Sequence, residues 1–515
     1  MNEKTLLLLN EQQNLIVNAK EKKIIVSAGP GSGKTYTLVK RIKKELSEND
    51  YSIIVTSFTR EAAGQLKAKL SRNIDLKDSY IGTLDSFVLT EIIDKFKNRY
   101  LNIKGYTTIK KLKFIMPSRD SLVEKITREG IVSSNKHLII NCMNEWFEQF
   151  TKGVYEISSI CYLIAIDLMQ ICATAKLYLE SKYRTIYIDE AQDLNEYQHK
   201  FIDYLVNVCN LSIIYIGDKN QSIYQFRGSR PELFYQLKNK DEFKEYIISV
   251  SVRCDASILA FSNLIIDDNS EIPEIYENKV FLNVAPTQKT LCSVHGNFLI
   301  LFENNEDAIK CFEYCKKNNI NAIYTKKIEL SNKDVADEYL DLIEEIVRFR
   351  INVDHKNSKL VYSIDDFIEF LSNDFIVNSI LKEEIERIDL DLISYLLNLL
   401  NALKIYLEDD VIAELKNLLN FEVYSMHYLK HENENRIMTI HSSKGLEADN
   451  VFVRIAKCPY KINDEYRRKL FVAFSRAKNN LYISYKEQSI LNSSLDCLLK
   501  KNLDLLNNKL GKGKL

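Results

Sequence analysis

The stretch Lys23-Ile24-Ile25-Val26-Ser27-Ala28-Gly29-Pro30-Gly31-Ser32-Gly33-Lys34-Thr35 decides how the rest of the chain is read. A short β-branched run ends in a glycine-bearing loop, and residues 36–46 resume with amphipathic helical spacing. Strand, loop, Lys-Thr and helix form the phosphate-loop pattern, with Ala28 at the first Gly position. The chemistry follows from the residue types. Glycines at 29, 31 and 33 let backbone N–H groups close round β- and γ-phosphates, with Pro30 and Ser32 between them. Lys34 neutralises the phosphates and the Thr35 hydroxyl can hold Mg²⁺.

Working outward, similar apolar runs recur at residues 52–55, 185–188, 212–216 and 246–250, then at 298–301, 436–440, 451–455 and 481–484. Runs of this length suit strands buried on both faces of a parallel sheet. Helical periodicity fills many intervals, as at residues 59–70 and 307–317, so the expected class is α/β. Residues 91–180 and 330–431 lack this rhythm and read as almost wholly helical. The leucines of residues 390–407 keep no lasting a/d register, which favours plain helix packing over a coiled coil. The expected organisation is two parallel-sheet cores, each with a mainly helical insertion. The first core covers 1–90 and 181–245 around an insertion at 91–180; the second covers 246–329 and 432–515 around one at 330–431.

The chain has 515 residues, too many for one core. Its 46% hydrophobic and 27% charged residues are those of a globular protein, and only 14 Gly and 6 Pro argue against long linkers. With 70 Lys+Arg against 71 Asp+Glu the formal charge is −1, which excludes a globally basic nucleic-acid coat. Any nucleic-acid surface has to be local. None of the 10 cysteines forms a C-x-x-C pair, which argues against zinc ribbons and thioredoxin-type sites. Cys311 and Cys315 share a helix face and read as small buried hydrophobes. No secretion signal is expected, and the most apolar stretch, residues 160–172, is broken by Asp167 and too short for a bilayer. A cytoplasmic protein without a membrane partner is the expectation.

Thr185-Ile186-Tyr187-Ile188-Asp189-Glu190 supplies the second half of a nucleotide site. An apolar strand delivers Asp189 to its carboxyl end, where it can support the metal, and Glu190 can polarise an attacking water. The two segments point to ATP hydrolysis with Mg²⁺. They do not say what it drives, since this loop also serves transporters, kinases and switches.

Further segments follow in order. Leu9-Asn10 and then Gln13 precede the loop; Ser57-Phe58-Thr59-Arg60-Glu61-Ala62-Ala63 and Gly82-Thr83-Leu84-Asp85-Ser86-Phe87 follow it. Asp189-Glu190-Ala191-Gln192-Asp193 and Gly217-Asp218-Lys219-Asn220-Gln221-Ser222-Ile223-Tyr224-Gln225-Phe226-Arg227-Gly228 come next. Thr439-Ile440-His441-Ser442-Ser443-Lys444-Gly445-Leu446-Glu447 and Ala473-Phe474-Ser475-Arg476-Ala477-Lys478 complete the series. In kind and order this set resembles the superfamily 1 helicases related to UvrD, Rep and PcrA, over nearly the whole chain. The resemblance implies two RecA-like cores that clamp ATP, single-stranded or partially duplex DNA as partner, and 3′ to 5′ travel.

It also implies roles. Gln13 reads adenine, Glu447 contacts the ribose, and Thr59, Thr83, Arg227 and His441 belong to the DNA track. Phe58, Tyr224 and Phe226 offer flat faces on which bases can stack, at about 1–3 kcal/mol per base. Gln221 is placed to sense the γ-phosphate and pass its state to Tyr224 and Phe226. Arg476 is the arginine-finger candidate, permanently charged and bidentate.

Three departures stand out. The family's fourth motif, usually Asn-Tyr-Arg, is Ser251-Val252-Arg253 here, so the arginine remains without the aromatic. Tyr36 replaces the common Arg after Thr35, which suggests that Tyr36 takes over part of the adenine stacking. Arg60 stands where the family usually has Asn. His427 and His431 lack the Glu of a zincin and read as an ordinary helix; Lys110, Lys111 and Lys113 read as a solvated loop. The second insertion is shorter than in large members of the family, and no nuclease segment is expected after Arg476. Compact members of this length also serve as the helicase subunit of two-gene antiphage systems such as Gabija, so a separate nuclease subunit is the second expected partner.

Overall fold

The computed structural model describes residues 9–58, 60–71, 74–110, 112–115, 121–249, 251, 253–324, 343, 346–347, 349, 379–387, 391–403, 409, 412–413, 415–416, 435–456, 462–485 and 493–509. They divide into two compact units, residues 1–275 with 463–475 and residues 276–462 with 476–515. Most of the region 330–431, with His427 and His431, lies outside the described residues, as do Thr59, Lys111 and Val252.

The first unit is built on the strands Lys23–Ala28 (β1), Ser52–Thr56 (β2), Tyr80–Gly82 (β3), Tyr183–Ile188 (β6), Ser212–Gly217 (β7) and Lys244–Ile248 (β8). They lie in the order β3-β2-β6-β7-β1-β8, and each pairing is parallel. Side chains alternate between the faces of a strand, so each strand serves two cores. Ile25, Ile54, Ile186, Ile213 and Tyr215 enter one cluster, whereas Ile24, Val26, Ile53, Val55, Tyr187, Ile214 and Ile216 enter the other. Burial on both faces is why these runs carry no polar alternation. Register then sets function. Ser27 lies beside Gly217 and Thr56 beside Ile188, so the loop after Ala28, the turn after Gly217 and the segments starting at Ser57 and Asp189 all leave the same carboxyl edge.

The run at 246–250 forms β8 two residues earlier, at Lys244–Ile248. An edge strand tolerates the charged Lys244 and Glu245 that a central strand would exclude. The insertion, read from the sequence as almost wholly helical, also carries two short strands. Besides the helices Asp94–Ile103, Leu122–Glu129, Lys136–Thr151, Ile160–Ile171 and Ala173–Lys182, it holds a parallel pair, Lys113–Ile115 (β4) with Val154–Glu156 (β5). Three-residue strands are too short to show a period, and Trp146 Nε1 reinforces β5 by donating to the Glu156 carbonyl at 2.8 Å. Ile160–Ile171 is the insertion's buried helix. Among the described residues no single helix is long and apolar enough to cross a membrane.

The second unit carries Val280–Leu282 (β9), Phe298–Phe302 (β10), Ile323–Tyr324 (β11), Arg436–Thr439 (β12), Ala448–Ile455 (β13) and Ala477–Tyr485 (β14). Their order is β11-β12-β10-β13-β14-β9, again wholly parallel. Phe298, Ile300, Phe302, Ile437 and Phe452 pack with Ala308 and Cys315 of the helix Asn305–Lys317. Two six-stranded parallel sheets with helices make this an α/β protein with two RecA-like cores.

Candidate functional site

The phosphate loop is set by two glycines in the left-handed region, Gly31 at φ 68° and Gly33 at φ 81°. A Cβ on Gly31 would come within 2.6 Å of Ser251 Oγ and 2.7 Å of Arg253 Cβ, and one on Gly33 within 2.8 Å of Gln13 Nε2. Those contacts show what surrounds the loop. Arg253 lies against Gly31, with its backbone N–H and that of Cys254 donating to Ser251 Oγ at 3.4 and 3.3 Å, and its Nη2 donating to the Ser475 carbonyl at 3.3 Å. Gln13 braces the loop from the other side. Its Nε2 donates to the Ser32 carbonyl at 3.1 Å and its Oε1 accepts from Asn10 N at 3.1 Å, closing a capping box. In this structure Gln13 therefore holds the loop, while its neighbour Gln12 bonds Ser249.

Lys34 opens the helix Lys34–Glu48 with its Nζ buried and making no hydrogen bond among the described residues; Glu190 Oε1 stands 3.9 Å away. A covered ammonium without a hydrogen-bond acceptor, over a cradle of positive-φ glycines at a helix N-terminus, fits a phosphate group. Thr35 and Asp189 would hold Mg²⁺. A hydroxyl and one carboxylate suit an ion that keeps water and phosphate oxygens in its shell. Among the described residues no cluster of three or more His, Cys, Asp or Glu offers an alternative metal site. Tyr36 stands on the first turn of the helix, with Lys40 Nζ 5.5 Å from its ring centre.

Asp189 is fixed by its backbone N–H donating to the Thr56 carbonyl at 2.9 Å. Glu190 adopts φ 55°, ψ 42°, a left-handed conformation that costs a non-glycine residue on the order of 1–2 kcal/mol and re-aims the carboxylate out of the strand line. From there a hydrogen-bond chain runs between motifs. Gln192 Nε2 donates to Glu190 Oε2; Asp218 N donates to Gln192 Oε1 at 3.0 Å; Gln221 Nε2 donates to Asp218 Oδ2 at 2.8 Å. Gly217 leaves the space this needs, because a Cβ there would meet Gln192 Oε1 at 2.5 Å. Burial pushes the Asp218 carboxyl above its ordinary value, opposed by the charge of Lys34 and the bond from Gln221. Gln192 and Asp218 were not assigned roles from sequence. They stand inside the quoted motifs, but their work is visible only as partners in space.

On the same carboxyl edge Phe58 and Tyr224 stack, centroids 4.9 Å apart and 22° between planes, and the Arg227 guanidinium lies 5.7 Å from the Tyr224 centroid. Phe226 belongs to the short turn Gln225–Arg227. Thr83 caps the one-turn helix Leu84–Phe87, accepting from Ser86 N at 3.2 Å. Arg468 was missed, since a basic pair on a helix carries no signal. Its Nε donates to the Ser222 carbonyl at 3.2 Å and its Nη2 to Gln225 Oε1 at 2.8 Å, tying the helix Asp464–Phe474 to the aromatic turn. The second unit holds the remaining assigned residues. His441 begins the turn His441–Ser443, and Glu447 pairs with Lys478 at 2.8 Å. Arg476 is buried, with Nη1 3.4 Å from the Leu446 carbonyl.

Comparison with known proteins agrees with this geometry. The family profile described as an AAA domain matches residues 12–227, and that of the UvrD-like helicase C-terminal domain matches residues 435–484. The chain is similar to the Gabija protein GajB of Bacillus cereus (strain VD045), 27% identical over 89% of this chain and 92% of that protein. It is similar to the ATP-dependent DNA helicase Rep of Buchnera aphidicola subsp. Schizaphis graminum, 22% identical over 94% of each. A further relative is the ATP-dependent DNA helicase PcrA of Staphylococcus epidermidis, 25% identical over 51% of this chain and 40% of that protein. Parallel-sheet cores, a phosphate loop joined to an acidic motif, and a stacked aromatic pair on the same edge converge with these matches: the chain is similar to the UvrD-like helicases of superfamily 1.

Proposed function

We propose that the chain is a DNA-stimulated, Mg²⁺-dependent ATPase that moves 3′ to 5′ on single-stranded DNA in the cytoplasm. The observation that carries this reading is the chain from Glu190 through Gln192 and Asp218 to Gln221, which ends three residues before Tyr224. Lys34 and the loop N–H groups bind the β- and γ-phosphates, Thr35 and Asp189 hold the metal, and bound Mg²⁺ supplies charge neutralisation. Glu190 orients and polarises the attacking water. Arg253 and Arg476 stabilise phosphoryl charge. Gln221 senses the γ-phosphate, and its shift is felt at Tyr224, Phe226 and Arg227 through the short turn they share. DNA bases stack at Phe58, Tyr224 and Phe226, with Thr59, Thr83 and His441 along the track; Gln13, Tyr36 and Glu447 complete the nucleoside contacts. The two-core organisation with shortened second insertion belongs to this proposal.

A second reading is favoured by the near full-length similarity to GajB. In it the ATPase senses DNA ends and activates a separate nuclease subunit, with little unwinding of its own. ATP hydrolysis with and without single-stranded DNA, measured beside unwinding of a tailed duplex, separates the two. Stimulation with processive unwinding supports the motor; stimulation without unwinding supports the sensor. Lys34→Ala and Arg476→Ala are each expected to lower DNA-stimulated kcat by at least about 100-fold while DNA affinity stays within about threefold. Normal turnover in either variant would overturn the assignment.

A further inference from the structure

The helix Ile160–Ile171 is the insertion's most apolar helix, yet it carries one phenol whose hydroxyl is bonded at two points. Tyr162 is 1% exposed. Its OH donates to Asp85 Oδ1 at 2.5 Å and accepts from Gln198 Nε2 at 3.1 Å. Asp85 lies two residues after Thr83, in the one-turn helix Leu84–Phe87 that Thr83 caps. Gln198 belongs to the helix Glu196–Asn207, where it forms a capping box with Asn195: Asn195 N donates to Gln198 Oε1 at 2.9 Å, and Gln198 N to Asn195 Oδ1 at 2.9 Å. Asn195 Nδ2 then donates back to Ser159 Oγ, beside the insertion helix, at 3.0 Å. Asn195 stands two residues past Asp193, the end of the turn Ala191–Asp193 that contains Gln192.

One hydroxyl thus connects the turn capped by Thr83 with the capped helix that directly follows the acidic motif. Packing alone does not ask for it, since a phenylalanine would fill the same space without a hydroxyl to desolvate. The chain also has a direction. A phenol has a single proton, and giving it to the Asp85 carboxylate leaves only its lone pairs for Gln198. Gln198 must therefore present its N–H₂ to Tyr162 and its oxygen to Asn195 N, the orientation that closes the cap. A displacement of Asp85 reaches Asn195 through bonds that cannot be reversed at one link alone.

We infer that Tyr162 is a positioning residue that couples DNA engagement at the Thr83 turn to the setting of the Glu190–Gln192 segment. The inference rests on the proposed DNA-stimulated ATPase. It is tested with the full chain, ATP and a thymidine oligonucleotide, by measuring basal kcat, stimulated kcat, ATP KM and DNA affinity. Tyr162→Phe is expected to leave basal kcat, KM and DNA affinity within about twofold, while stimulated kcat falls roughly tenfold, the factor of one hydrogen bond to a charged group. Asp85→Ala should lose stimulation to a similar degree, whereas Asp85→Asn, which still accepts from the phenol, retains most of it. Full stimulation in Tyr162→Phe overturns the inference, and so does a parallel loss of basal turnover or DNA affinity, which would mark the hydroxyl as merely structural. If the unaltered chain shows no stimulation, the underlying function is what fails.

Discussion

At Gly31 a single added carbon decides whether the nucleotide loop forms. Its φ of 68° is one that L-residues adopt at a cost of about 1–2 kcal/mol, and its Cβ would press on Ser251 Oγ and Arg253 Cβ. Gly29 is a contrast within the same loop, since a Cβ there meets nothing within 4 Å. Gly31→Ala is therefore expected to lower the thermal midpoint by a few degrees and raise the ATP KM by at least about tenfold, whereas Gly29→Ala leaves the midpoint within about one degree. Thermal unfolding and steady-state kinetics on both variants check this; equal behaviour would mean that the Arg253 contact does not constrain the loop. Where Lys34, Thr35, Asp189 and Glu190 stand was legible in the sequence, because each announces by type and place the chemistry proposed for it. Gln192, Asp218 and Arg468 did not, because an amide, a turn aspartate and a helical arginine acquire a role only from the partner they meet.

At the scale of elements, the segment Val88–Ile93 is a π-helix, a geometry that wastes hydrogen bonding and tends to persist where something else requires it. Glu91 lies within it. The carboxylate is buried, accepting from Lys95 Nζ at 2.7 Å, Tyr178 OH at 2.6 Å, Tyr183 OH at 2.8 Å and Lys182 Nζ at 3.1 Å. Burial alone would raise its pKa, but these bonds win and hold it at about 2. A carboxylate depressed in the folded state stabilises it fully above the ordinary value of 4.5, and that contribution is lost as pH falls from there through about 2. Glu91→Gln is expected to destabilise the first unit by about 2–3 kcal/mol at neutral pH and to flatten the loss of stability across this acid window. Urea denaturation of both proteins over that range tests it, and parallel curves would count against the network. Element type was readable wherever the period was long. The central strands of both sheets stand where apolar runs placed them, because burial on two faces leaves an unbroken signature. The short β3, β4, β5, β9 and β11 were not readable, since a strand of two or three residues has no period and is held by its neighbours' register.

At the scale of the molecule, the balance of 70 Lys+Arg and 71 Asp+Glu constrains how the proposed DNA partner would be held. A protein that grips through phosphates releases counterions, and its affinity falls with salt in proportion to the contacts made, with a slope near −0.7 per phosphate on single strands. Stacking on Phe58 and Tyr224 carries no such term. A near-neutral chain with an aromatic track should therefore bind single-stranded DNA with a shallow slope, about −2 in log affinity against log salt, which corresponds to about three phosphates. The two kinds of contact then separate by mutation. Tyr224→Ala should weaken binding by about 1–2 kcal/mol at every salt concentration and leave the slope unchanged, because it removes a face and no charge. Arg227→Ala, which removes a cation from beside the Tyr224 ring, should flatten the slope by about 0.7 and weaken binding most at low salt. Fluorescence anisotropy of a labelled oligonucleotide across a salt series measures both. A steep slope in the unaltered chain, or a slope that moves with Tyr224 and not with Arg227, would show that phosphate contacts rather than stacked bases hold the strand, and that the aromatic pair serves the fold instead of the track.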